Sequence, residues 1–76
     1  MSRTILDDNM LAWEVYPSGP HGDSPRPCVV FNCMSNRMLR PRYVYVKGDE
    51  ADAERNIGLA SNEELLELLE QSRELP

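Results

Sequence analysis

Large apolar residues alternate with polar ones in two short stretches of the chain, and between them lies a third stretch that is apolar almost throughout. Leu11-Ala12-Trp13-Glu14-Val15-Tyr16 places Leu11, Trp13 and Val15 on one side of an extended backbone and Glu14 on the other. That period of two predicts a half-buried strand. Cys28 to Met34 is a β-branched and aromatic run that predicts a central strand, with turn chemistry following at Ser35-Asn36. Arg42-Tyr43-Val44-Tyr45-Val46 alternates again, and Pro41 stands at its start, where a missing backbone donor does least harm.

The segments around these strands read differently. Pro17 to Pro27 carries Pro17, Gly19, Pro20, Gly22, Pro25 and Pro27, and neither a helix nor a ladder persists through such a stretch. It predicts a loop of about ten residues. Residues 1–10 contain Thr4-Ile5-Leu6 but close on Asp7-Asp8-Asn9, a composition that predicts an irregular or frayed end. After Lys47-Gly48-Asp49 the period lengthens: acids lead the segment Glu50 to Ile57, and Ala53 and Ile57 lie one turn apart. A short helix ending near Gly58 is expected. Ser61-Asn62-Glu63-Glu64 has the spacing of a capping box. Behind it Leu65, Leu68, Leu69 and Ser72 form one stripe and Glu63, Glu67, Glu70 and Glu74 the opposite side, which predicts a second, amphipathic helix.

Alternation sorts the strands into two faces. Leu11, Trp13, Val15, Val29, Phe31, Cys33, Val44 and Val46 share one, and the leucine stripe with Ala53 and Ile57 would cover it. The expected fold is a small two-layer α+β domain: a three-stranded antiparallel sheet (β-β-β) over 11–46, then two helices over 49–74 packed on one face. A chain of 76 residues suits one such domain, since cores of this size hold only about 3–5 kcal/mol of net stability. The second face, with Glu14, Tyr16, Cys28, Val30, Asn32, Tyr43 and Tyr45, would then be left to solvent.

Composition and charge narrow the function classes. At 41% hydrophobic and 28% charged the chain falls in the ordinary globular range. Its net charge of −5 argues against a dominant phosphate-binding role, which depends on Lys and Arg. The charge is divided: six basic residues oppose four acids up to Lys47, whereas nine acids oppose only Arg55 and Arg73 from Gly48 onward. Two cysteines are too few for a disulfide framework, and no charged segment followed by an apolar one opens the chain, so a cytoplasmic location is expected. No apolar run approaches the roughly 20 residues that span a bilayer, and no membrane role is expected.

No constellation of catalytic, metal-binding or cofactor-binding residues emerges. Cys28 and Cys33 are an odd number of positions apart on one strand, so they face opposite ways about 16 Å from each other. His21 is the only histidine, and zinc sites generally need four converging ligands. A Cys28–His21 nucleophile pair would lack the third, orienting group of such a site. The glutamates at helical spacing read as a solvated helix face.

What remains is a surface. The leading expectation is a non-enzymatic binding module that uses the exposed sheet face for a protein partner or for homodimerisation, with Tyr16, Val30, Tyr43 and Tyr45 at its centre and Arg40 and Arg42 at its rim. Tyrosine suits that role because it is amphipathic and aromatic residues are enriched in interface cores. The ordinary explanation is that cross-strand tyrosines simply stabilise the sheet, by about 0.2–1 kcal/mol a pair. A second reading takes Tyr43 and Tyr45, flanked by Arg37, Arg40, Arg42 and Lys47, as a stacking platform for single-stranded nucleic acid. A third, weaker still, is an enzyme using the Cys28 thiol.

Overall fold

The computed structural model, which describes residues 2–18 and 27–74, is a five-stranded antiparallel meander with two helices laid on one face. The elements run β1 (Arg3–Leu6), β2 (Ala12–Ser18), β3 (Cys28–Cys33), β4 (Arg42–Tyr45), α1 (Glu50–Leu59), α2 (Asn62–Gln71) and β5 (Arg73–Glu74). In the sheet they stand in chain order from β1 to β5. His21 and most of the Pro/Gly-rich connection lie outside the described residues.

The sheet therefore has five strands where the apolar pattern predicts three. Thr4-Ile5-Leu6 is not a frayed end: β1 pairs with β2 from Arg3 opposite Val15 to Leu6 opposite Ala12. Asp7-Asp8-Asn9 is the turn between them, closed by Met10 N–H donating to the Asp7 carbonyl at 3.0 Å, with Met10 in the left-handed region at φ 65°. The side chain of Asp7 organises that turn. Its Oδ1 accepts from the backbone N–H of Asn9 at 2.8 Å and of Leu11 at 2.9 Å, while Oδ2 accepts from the indole N–H of Trp13 at 2.9 Å.

At the other edge, α2 stops at Gln71 and the chain straightens into β5, which sets Arg73 opposite Tyr43 and Glu74 opposite Arg42. Ser72 and Glu74 thus leave the helical pattern. The first strand of the predicted sheet also runs further, through Pro17 and Ser18. Pro17 is tolerated because the β2–β3 ladder bonds through even-numbered β2 residues, as in Met34 N–H to Ala12 O at 2.8 Å, so the missing donor faces away from β3.

One face of the sheet is sealed. Ile5, Trp13, Val15, Val29, Phe31 and Cys33 form a single buried cluster with Ile57 of α1 and Leu65 and Leu69 of α2, and Leu11, Val44 and Val46 pack against it partly buried. Each helix opens with a local cap: Asp49 and Asp52 form one capping box, Ser61 and Glu64 the other. Gly48, at φ 91°, lets the chain turn into α1 where a β-carbon would collide with the Asp52 carboxylate.

The carboxyl ends of the helices are closed differently. Neither has a basic residue in its last turn. Instead the sheet supplies an arginine to each. Arg3 of β1 donates from Nη1 to the carbonyls of Ile57, at 2.8 Å, and Ala60, and from Nη2 to Asn62 Oδ1 at 2.7 Å. Arg42 of β4 donates from Nε to Ser72 Oγ at 2.7 Å and from Nη2 to the Ser72 carbonyl at 2.6 Å. Both cations satisfy carbonyls that a helix end leaves unpaired, at the negative end of its dipole.

Candidate functional site

The face turned away from the helices is built of lateral rows fixed by strand register. Leu6, Ala12 and Met34 form the first, and Thr4, Glu14 and Asn32 the second. Tyr16, Val30, Tyr43 and Arg73 form the third, and Ser18, Cys28 and Tyr45 the fourth. Neighbouring rows on one face are separated by two residues, about 7 Å.

Tyr16, Val30, Tyr43 and Tyr45 therefore share the face the alternation assigned them, but not equally. Tyr45 is 39% exposed and Tyr16 and Tyr43 are half-buried. Val30 is only 1% exposed and Cys28 only 3%, in contrast to the solvated positions expected. Each sits in the central strand between larger or flanking partners, Val30 between Tyr16 and Tyr43 and Cys28 between Ser18 and Tyr45. Val30 is thus a buried position between two tyrosine strand partners. Tyr43 and Tyr45 meet edge to face, with centroids 5.2 Å apart and planes at 79°.

The pKa shifts follow this packing. The hydrogen bond with Tyr45, then loss of solvent, raises the Tyr43 hydroxyl pKa. Burial, then the nearby Glu14 charge, raises that of Tyr16. Both phenols stay neutral, as donors and acceptors rather than anions. Burial also pushes the Cys28 thiol up, the opposite of what activates a nucleophile. Both cysteines are free, and by register they face opposite sides of the sheet.

The arginines are redistributed. Arg42 lies in register with Phe31, on the helix face, and spends its donors on Ser72. Arg40 is exposed and borders a cleft of about 350 Å³ with Asp7, Trp13, Leu69 and Glu70, at the helix side of the molecule. Parity already marked Arg42, since residues 42, 44 and 46 must share a face. The cation that joins the tyrosines is Arg73, which the helical pattern had hidden. Because β5 covers only Arg42 and Tyr43 of β4, a hollow of about 250 Å³ opens beside it, bordered by Tyr43, Tyr45, Gln71 and Arg73.

A larger groove of about 520 Å³ runs between α1 and α2, floored by Ile57 and Leu65 and rimmed by Lys47, Glu64 and Glu67. Of the candidate site residues it contains only Lys47. Among the described residues, no three of His, Cys, Asp or Glu converge as metal ligands. No helix there is long and apolar enough to cross a membrane.

No protein-family model, curated protein or solved structure matches this chain. Its function has to be argued from the surfaces just described.

Proposed function

We propose that the chain is a non-enzymatic interaction module whose open sheet face receives a protein partner around Tyr16, Tyr43 and Tyr45. The observation that carries this reading is the edge-to-face Tyr43–Tyr45 pair beside Arg73, bordering a hollow at the place where the sheet narrows to its shortest strand. Tyrosine and arginine are the residue types that dominate binding energy at protein interfaces, and rings already packed on each other lose little further freedom on contact. Val30 and Cys28 are buried in the same rows. A second copy of the chain on the same face is the homodimeric form of the reading.

Single-stranded nucleic acid receives less support, because Arg42 is turned to the other face and Arg40 borders the helix-side cleft. An enzyme using Cys28 would need an exposed, acidified thiol, and this one is buried with a raised pKa. Two free thiols accord with a cytoplasmic setting.

Quantitative affinity capture with three baits tests the proposal: the wild type, Tyr43→Ser with Tyr45→Ser, and Leu59→Ser as a surface control. A protein retained by the wild type and the control but lost from the double variant is the expected result. Equal capture by all three, with folding confirmed by Trp13 fluorescence, would sink it.

A further inference from the structure

Seven large apolar side chains are exposed among the described residues, and five of them occupy one end of the sheet. Leu6 and Met34 are each 55% exposed, at the ends of the first lateral row, and Met10 at 75%, Met38 at 89% and Leu39 at 39% project from the adjoining β1–β2 turn and β3–β4 loop. Exposure on this scale, concentrated at one end, is what monomeric proteins rarely retain without a use.

These side chains are held out on ordered backbone. Three hydrogen bonds to Asp7 pin the turn. In the loop, Asn36 accepts from the backbone N–H of Met38 through its side chain at 2.9 Å and from that of Leu39 through its carbonyl at 3.2 Å. The two projections are joined by Ala12 N–H donating to Ser35 Oγ at 2.9 Å. A patch whose backbone is already fixed loses little order on binding, and methionines adapt to whatever shape they meet.

Charge selects the occupant. The turn presents the exposed Asp8, and the loop presents the exposed Arg37 and Arg40. No ion pair links these three among the described residues. A surface with an acid at one side of an apolar strip and bases at the other is complementary to itself under a two-fold rotation. The rotation sets the turn of one copy over the loop of the next, Asp8 facing Arg37 and Arg40, twice. An anionic membrane would attract the arginines but repel Asp8 and the chain's net charge of −5.

We infer that this methionine-rich end is a homodimer interface, formed by a second copy of the chain with Leu6, Met34 and Met38 at its centre and Asp8 paired with Arg37 and Arg40 at its rim. It is separate from the tyrosine row, which lies two rows away, about 14 Å along the strands. Both surfaces can be occupied together.

Sedimentation across a concentration series tests it. The wild type and Tyr43→Ser with Tyr45→Ser should dimerise alike, and Met34→Glu with Met38→Glu should weaken the dimer roughly tenfold or more. Asp8→Arg alone, and Arg37→Asp with Arg40→Asp alone, should each weaken it roughly three- to tenfold. Mixing those two charge variants brings opposite charges together at both rims, so the mixture should recover wild-type affinity. A wild type that stays monomeric at high concentration overturns the inference, and so does a mixture that fails to recover. Dissociation by the tyrosine variant instead would assign self-association to the tyrosine face. Sedimentation of monomer with anionic phosphatidylserine vesicles would assign the patch to lipid.

Discussion

The two faces of the sheet use the same residue types for opposite purposes. On the helix face Val15, Phe31 and Leu65 are wholly buried, and the two arginines that reach into that layer are consumed by helix-end carbonyls. On the open face Val30 and Cys28 are buried in the central strand, while Leu6, Met34 and Tyr45 meet solvent. An arginine is thus no guide to a ligand surface here, nor a valine to the core. What decides the role is which side of the strand carries it and what the neighbouring strand sets beside it.

The contrast can be broken by substitution. Phe31→Ala, at the centre of the sealed face, should cost about 3–5 kcal/mol, as much as a domain of this size holds in total. Far-UV circular dichroism is expected to show an unfolded or nearly unfolded chain. Arg3→Met leaves two helix carbonyls without their partner and should cost about 1–3 kcal/mol in urea denaturation followed by the fluorescence of Trp13. Should Arg3→Met prove no more costly than a tyrosine substitution on the other side, the distinction between the faces would collapse.

Asp7 gives a pH test. Partial desolvation raises its pKa, but the bonds from the Trp13 indole and from the backbone of Leu11 and Asn9 outweigh it, and the net shift is downward. A carboxyl lowered on folding contributes stability above its unfolded pKa and loses it as the pH falls through the folded value. The advantage of the wild type over Asp7→Asn should therefore be full at neutral pH and fade below about pH 4. Equal acid sensitivity of the two proteins would show that the turn does not depend on the carboxylate. The smallest expected effect is that of Tyr43→Ser with Tyr45→Ser, which should leave the urea midpoint close to that of the wild type while altering partner binding. A large fall in the midpoint would make those tyrosines structural.

How much of this was legible in the sequence depended on how far apart the interacting residues lie. The Ser61–Glu64 box spans three residues and reads directly, and the Asp49–Asp52 box has the same spacing. The carboxyl ends do not read at all, because Arg3 is 54 and 57 residues from the carbonyls it meets. Asp7-Asp8-Asn9 misled because turn chemistry looks the same between two strands as at a frayed end, and β5, at two residues, is too short to have a period. The core face followed from alternation alone. So did the tyrosine face, whereas alternation alone leaves Val30 to solvent, where the structure buries it. The exposed methionines did not read as a group, because Met34 closes the apolar run of the central strand and Met10 and Met38 lie apart from it in sequence until the turn and the loop are seen to meet.

Arg3 also constrains the order in which the domain can be completed. Strand β1 can pair with β2 as soon as both have been synthesised, but its guanidinium has no partner until residues 57–62 arrive and α1 has ended. Bonds of that sequence separation close late and slow a fold relative to its local turns. A two-stranded hairpin is marginal on its own, so the first pairing gains its full hold only when the junction between the helices arrives. That last docking ties the first strand to both helices at once, so the meander and its helical cover should cross the folding barrier together.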